Sequence, residues 1–237
     1  MKDKLLLLSN STNPGELYFE YAKGTIKEFV GPTISRILFI PYAGVTISYD
    51  EYTSKVSEAL KDMGCQIQGI HEFNDPIKAV ENAQMIAVGG GNSFELLKQL
   101  YEKNVIDAIR DKVRTGTPYM GWSAGSNMAC PTLMTTNDMP ISEPPSFKAL
   151  HLIPFQINPH YTEHTIANHG GESRMDRLNE YIEVNRDVKV IGLQEGCILW
   201  KEGSELRMIG DKPAKVYRYG KKVSKVMENS DLRFMLE

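Results

Sequence analysis

Short apolar runs alternate with longer amphipathic segments along most of this chain. The apolar runs lie at 5–8, 37–40, 67–70, 85–88 and 188–193. Between them, apolar residues recur at helical spacing in the segments 50–63, 76–82, 93–102, 105–114 and 172–184. Strands that alternate with helices in this way are typical of βαβ units. We therefore predict an α/β fold with a mainly parallel central sheet flanked by helices.

The pattern changes from about residue 196 onward. Three strand-like pieces at 198–200, 206–209 and 214–217 follow one another, with Gly203 and Gly210 between them. Short strands separated by glycine turns predict a small antiparallel C-terminal extension of the sheet. Because we find no internal repeat and no clear linker, we expect residues 1–237 to form a single domain.

Composition argues against several classes of protein. The 27 lysines and arginines against 30 aspartates and glutamates give a formal net charge of −3, which disfavours a nucleic-acid binder. No run approaches the roughly 20 apolar residues of a membrane span, and the N-terminus lacks the apolar core of a secretory signal. The three cysteines are far apart, with no CxxC pair, which is typical of a reducing compartment. We expect a cytoplasmic protein without nucleic-acid or membrane partners.

The segment Gly121–Gly125 reads G-x-S-x-G between a short strand and a helix rich in small residues. In a nucleophile elbow the serine sits at a sharp strand-to-helix turn, and small flanking residues are needed because its neighbours are close. The spacing therefore makes Ser123 a candidate nucleophile. The alternative is a tight turn whose serine only caps the next helix.

A serine nucleophile needs a base and a carboxylate that orients the base. Of the five histidines, His160 is the best candidate, because it follows an apolar run and a proline at the end of a predicted strand. Glu195, just past the 188–193 run, and Asp138 are both candidates for the carboxylate. The spacing alone does not choose between them.

Acyl transfer also needs donors for the developing oxyanion. Glycines after the 85–88 run would let backbone N–H groups approach a ligand, so we assign one donor to Gly90 and the second to Ala124, which follows Ser123. A tight turn remains the alternative for the glycine segment.

His160, Glu163, His164 and His169 are close in sequence, which raises the alternative of a metal site. No H-E-x-x-H pattern occurs, and Pro159 disfavours a helix that would begin before His160. We therefore predict no metal and no cofactor.

Taken together, these motifs make the chain resemble the peptidase E family, whose members are α-aspartyl dipeptidases of serine type. The resemblance runs along almost the whole chain and is carried by the segments LLLLSNST at 5–12, IPYAGVT at 40–46, VGGGN at 88–92, GWSAG at 121–125, TNDMP at 136–140 and QINPH at 156–160. It implies a class-I-glutamine-amidotransferase-like fold and the cleavage of small peptides with an N-terminal aspartate, without a metal.

The resemblance also implies the roles of individual residues. Ser123 becomes the nucleophile, His160 the base and Glu195 the third member of the triad, with Asp138 kept as second choice. Gly-Glu-Ser-Arg at 171–174 is similar to the family's G-E-T-R segment, which makes Arg174 the group that binds the aspartyl side chain. We also assign Asn92 to substrate binding.

Two other functions are compatible with the same fold. One is a cyanophycinase-like hydrolase of aspartate-rich polymer, and the other is a non-enzymatic protein that binds an acidic metabolite. A glutamine amidotransferase is disfavoured because a cysteine would be expected where Ser123 stands. We expect a small peptide as the substrate and a monomer or homodimer in solution.

Overall fold

The computed structural model describes residues 3–164, 170–228 and 230–237 of the chain. The helices are α1 (Lys23–Val30), α2 (Tyr49–Ala59), α3 (Pro76–Glu81), α4 (Ser93–Glu102), α5 (Ile106–Arg114), α6 (Ala124–Ala129) and α7 (Arg174–Val184). The strands are β1 (Lys4–Leu8), β2 (Arg36–Ile40), β3 (Gln66–Gly69), β4 (Ile86–Val88), β5 (Tyr119–Trp122), β6 (Gln156–Asn158), β7 (Val190–Gly192), β8 (Ile198–Glu202), β9 (Glu205–Ile209), β10 (Ala214–Tyr217) and β11 (Ser224–Val226).

A seven-stranded sheet in the order β3-β2-β4-β5-β1-β8-β9 forms the centre of the molecule. Its strands β1 to β5 pair in parallel, and β8 and β9 are added in antiparallel orientation. This arrangement confirms the predicted α/β class with a mainly parallel sheet and an antiparallel extension.

A second, four-stranded sheet has the order β11-β10-β7-β6. The sequence analysis placed the 188–193 run and the 214–217 piece without separating them from the main sheet. In the structure they become β7 and β10, which pair with each other in the second sheet. Apolar periodicity identifies a strand but not its partner, so the division into two sheets was not predicted.

Apolar clusters cover both faces of the central sheet. The leucines of β1 show the reason, because Leu5 and Leu7 pack in one cluster while Leu6 and Leu8 pack in the other. Successive side chains of a strand point to opposite faces, so a strand buried on both sides must be apolar at every position. Helices α4 and α5 lie on the first face, and α1 and α2 lie on the second.

Candidate active site

Ser123 stands at the turn between β5 and α6, with the unusual backbone angles φ 52° and ψ −113°. The flanking glycines are required by close backbone contacts. A methyl group on Gly125 would lie 2.1 Å from the carbonyl oxygen of Val88, and one on Gly121 would lie 2.4 Å from the carbonyl oxygen of Gly125. A non-glycine residue at positive φ is strained, and such strain is concentrated at functional sites.

Ser123, His160 and Glu195 form one continuous line of contacts. The Oγ atom of Ser123 lies 2.8 Å from Nε2 of His160, and Nδ1 of the same ring lies 2.7 Å from Oε1 of Glu195. The side chains of His160 and Glu195 are 39% and 42% exposed, so the line is open to a substrate. The arrangement can move a proton from the hydroxyl to the ring while the carboxylate fixes the tautomer of the ring.

The three side chains come from two different sheets. Ser123 follows β5 of the central sheet, whereas His160 and Glu195 follow β6 and β7 of the second sheet. Each lies beyond the carboxyl end of its strand, where ligands of α/β proteins are bound.

Two polar residues that follow β1, Ser9 and Asn10, connect the two sheets near these three side chains. The buried Ser9 accepts a hydrogen bond from the backbone N–H of His160 at 2.8 Å and donates its own to the carbonyl oxygen of Leu193 at 2.8 Å. Asn10 accepts a hydrogen bond from the backbone N–H of Gly196 at 2.8 Å. The sequence analysis gave neither residue a role, although their position at a strand end was a signal.

Two residues beside Ser123, Gly90 and Ala124, have backbone N–H groups that could act as donors. Gly90 is pressed against the serine, because a methyl group there would lie 3.1 Å from Cβ of Ser123. Within the described residues, no backbone acceptor takes the N–H of Gly90. Ala124 opens α6, where the first N–H groups of a helix have no intrahelical partner.

Tyr52 holds the Gly90 segment in place. Its buried hydroxyl donates to the carbonyl oxygen of Gly90 at 3.0 Å and accepts from Nε1 of Trp122 at 3.1 Å. Burial raises the pKa of the Tyr52 phenol well above its ordinary value, so the hydroxyl stays protonated and can donate. The sequence analysis did not identify this residue, because it lies within the first turn of an amphipathic helix and carries no motif.

The carboxylate of Asp138 is hydrogen-bonded to Ser93 rather than to the His160 ring. Its Oδ2 atom accepts hydrogen bonds from the backbone N–H and the hydroxyl of Ser93, at 2.7 and 2.6 Å. The Nδ1 atom of His160, which the third member of a triad would contact, is already bonded to Glu195.

Both polar atoms of the Asn92 side-chain amide form hydrogen bonds within the protein. Its oxygen caps α4 by accepting from the N–H groups of Phe94 and Glu95, and its nitrogen donates to the carbonyl oxygen of Met139. Asn92 nevertheless lines the cleft described below.

Arg174 is the first residue of α7 and is half-buried. Burial, together with the charge of Arg177, lowers the pKa of its guanidinium, and Tyr161 acts in the opposite direction. Among the residues that the structure describes, Arg174 makes no ion pair.

Position 169, the last histidine of the alternative metal site, lies outside the described residues.

An open cleft of about 500 Å³ leads to Ser123 and His160. Its walls come from the segments that follow β1, β2 and β4, at 10–12, 43–47 and 90–92, together with side chains of α2. This volume falls in the range of small-ligand sites, which is roughly 300–1,000 Å³. The one cation from α2 in these walls is Lys55, which the sequence analysis did not identify.

Within the described ranges, no group of three histidine, cysteine, aspartate or glutamate side chains could hold a metal ion. No helix among the described residues combines the length and the apolar character needed to cross a bilayer.

Comparison with known families gives a match to Peptidase family S51 over residues 5–209. "Peptidase E" of Nostoc sp. is 48% identical over 237 residues, which are 100% of this chain and 98% of that protein. "Peptidase E" of Streptomyces coelicolor is 47% identical over 234 residues, which are 98% of this chain and 95% of that protein.

Two solved structures share the fold. A putative peptidase E from Listeria monocytogenes aligns with a TM-score of 0.65 at 19% identity, covering 89% of this chain and 99% of its own. A peptidase from an acI-B1 actinobacterium aligns with a TM-score of 0.67 at 16% identity, covering 98% of this chain and 97% of its own.

Proposed function

We infer the function from the premise that this chain belongs to peptidase family S51. It is a serine-type dipeptidase. We propose further that Ser123, His160 and Glu195 are its catalytic triad and that its substrates are short peptides with an N-terminal aspartate. The observation that carries this proposal is the unbroken line from the Ser123 hydroxyl through the His160 ring to the Glu195 carboxylate.

In the proposed reaction, Oγ of Ser123 attacks the carbonyl carbon of the N-terminal residue while Nε2 of His160 takes the hydroxyl proton. The C–N bond then breaks, and His160 gives that proton to the departing amine. The product of this half-reaction is an ester between Ser123 and the N-terminal residue. A water molecule, deprotonated by His160, cleaves the ester, and its proton returns to Ser123.

The negative oxygen of the tetrahedral intermediates needs donors that are already in place. We propose the N–H groups of Gly90 and Ala124 for this task, supported by the contact between Gly90 and Ser123. Donors that are held rigidly need not reorganise as the charge develops, which is why such sites contribute strongly to catalysis.

The preference for aspartate requires a cation. We propose Arg174 for the side chain of the N-terminal aspartate, because a guanidinium can bind a carboxylate with two parallel hydrogen bonds. Arg174 is half-buried at the start of α7, where a positive charge lies at the unfavourable end of the helix dipole. A bound carboxylate would remove that disadvantage.

Hydrolysis of a panel of X-Leu dipeptides by the wild type and the Ser123→Ala variant tests the proposal. The wild type should cleave Asp-Leu far better than Ala-Leu, and Ser123→Ala should be inactive. Arg174→Ala should lose the preference for aspartate. Wild-type turnover by Ser123→Ala would contradict the mechanism, and an equal loss on every dipeptide would give Arg174 a structural role instead.

A further inference from the structure

Lys55 occupies a singular position in the cleft. Among the described residues that line the cleft, Lys55 is the only one that is a lysine, arginine, aspartate or glutamate. It lies on α2 three residues after Tyr52, and side chains at this spacing share a helix face. The exposed side chain of Lys55 therefore lies at the edge of the cleft, where it also borders a neighbouring surface depression.

The ammonium group of Lys55 lies against an aromatic ring. The Nζ atom of Lys55 lies 4.5 Å from the centroid of the Tyr18 ring, within the range of a cation–π interaction. The hydroxyl of Tyr18 lies 3.4 Å from the hydroxyl of Tyr52, which in turn binds the carbonyl oxygen of Gly90. A short chain of contacts thus connects the charge of Lys55 to the segment beside Ser123.

The ammonium group of Lys55 makes no ion pair among the described residues, although Glu20 and Glu58 line the neighbouring depression. Its neighbours Lys61 and Lys23 pair with the carboxylates of Glu58 and Asp62. Lys55 itself makes no ion pair with any residue in 3–164, 170–228 or 230–237. A cation without a counter-ion, in a wall that contains no carboxylate, favours a ligand that brings a negative charge.

We propose that Lys55 binds a carboxylate of the substrate. The proposal rests on the dipeptidase function given above, because a dipeptide such as Asp-Leu carries two carboxylates, one on the aspartyl side chain and one at its C-terminus. An ammonium group and a carboxylate form a charge-assisted hydrogen bond, which is stronger than a neutral one. If the C-terminal carboxylate is the one bound, a longer peptide would place a neutral amide beside Lys55, and this would favour short substrates.

Binding measurements without turnover test the proposal and identify the carboxylate. Titration calorimetry in the Ser123→Ala background would give the dissociation constants of Asp-Leu, Asp-Leu-amide and Asn-Leu. Adding Lys55→Gln should weaken the binding of Asp-Leu roughly tenfold or more, because a hydrogen bond to a charged group is lost. Lys55→Arg should retain most of the affinity, since it keeps the charge.

The two analogues distinguish the sources of the carboxylate. If Lys55 binds the C-terminus, Lys55→Gln should leave the affinity for Asp-Leu-amide unchanged and weaken Asn-Leu as strongly as Asp-Leu. If Lys55 binds the aspartyl side chain, Lys55→Gln should instead weaken Asp-Leu-amide as strongly as Asp-Leu and leave the affinity for Asn-Leu unchanged. Either pattern supports the proposal.

Lys27→Gln is the matched control, because Lys27 is an exposed lysine on α1 outside the cleft. This variant should bind all three peptides like its parent. Equal dissociation constants for Lys55→Gln and its parent, or an equal loss on all three peptides, would overturn the proposal. A wild-type protein that fails to cleave Asp-Leu would instead contradict the function on which it rests.

Discussion

The Nδ1 atom of His160 lies 2.7 Å from Oε1 of Glu195, while the carboxylate of Asp138 is bonded to Ser93 at the start of α4. A triad carboxylate works by fixing the tautomer of the histidine and stabilising the imidazolium that forms during the reaction. Only a group in contact with Nδ1 can do this. These contacts support the proposed role of Glu195, which the resemblance placed ahead of Asp138 and which the spacing alone could not rank.

We predict that Glu195→Gln lowers kcat by roughly 10²–10⁴-fold, because an amide can impose the wrong tautomer and does not stabilise the imidazolium. Asp138→Asn should change kcat little and lower the melting temperature, because it weakens the contact with Ser93. Steady-state kinetics and thermal unfolding of both variants check this. A large loss of kcat in Asp138→Asn alone, with the fold intact, would reverse the assignment.

Gly90→Ala should lower kcat by roughly 10²-fold, the cost of losing one oxyanion donor. The added methyl group would lie 3.0 Å from Cδ1 of Trp122 and 3.1 Å from Cβ of Ser123, so the N–H of residue 90 must move. Gly24→Ala on α1 is the control, because nothing lies within 4 Å of its added methyl group. That variant should keep full activity and gain up to about 1 kcal/mol of stability, since alanine favours a helix. Unchanged kcat in Gly90→Ala would contradict this prediction.

Tyr52→Phe keeps the ring and removes the hydroxyl that holds the carbonyl oxygen of Gly90. We expect a lower kcat with little change in KM, because the donors act on the transition state rather than on bound substrate. Tyr18→Phe keeps the ring that Lys55 contacts and removes a longer contact with Tyr52, so both constants should stay near those of the wild type. A change in KM alone would place Tyr52 in substrate binding rather than in the support of Gly90.

Thiol reagents should not inactivate the enzyme. Burial raises the pKa of the Cys130 thiol to about 12 and also raises the pKa of Cys197, so neither forms the reactive thiolate near neutral pH. Burial also raises the pKa of the Cys65 thiol, but Cys65 is half-exposed whereas Cys130 and Cys197 are buried. Iodoacetamide at pH 7.5 should therefore modify Cys65 slowly and neither of the other two, and Cys65→Ser should abolish that labelling without loss of activity. A serine-directed phosphonate should inactivate the enzyme and label Ser123. Protection of activity by Cys65→Ser against iodoacetamide would contradict this prediction.

Much of the fold could be predicted because a strand buried on both faces leaves a continuous apolar run, as in β1, β2 and β4. The strand β6 is only three residues long, and its place in a second sheet depends on pairing with β7, which no local pattern encodes. The helix α1 was not predicted at all, since its apolar positions are few and Gly24 lies near its start.

The residues of the candidate site also fall into those that the sequence could predict and those that it could not. The serine turn could be predicted because backbone contacts at Gly121 and Gly125 leave a local signature in the sequence. Tyr52 and Lys55 could not, because they reach the cleft from the side of a helix whose sequence reads only as amphipathic. Their roles arise from the packing of α2 against the Gly90 turn.

Ser9 spans the boundary between the sheets, with its hydroxyl bonded both to the N–H of His160 and to the carbonyl oxygen of Leu193. Because the proposed nucleophile follows a strand of one sheet and its proposed base follows a strand of the other, their contact requires the two sheets to stay in place relative to each other. A partly denatured form that keeps both sheets but lets them slide apart would retain its circular dichroism and lose all turnover. In a urea titration, enzymatic activity should therefore disappear before ellipticity does.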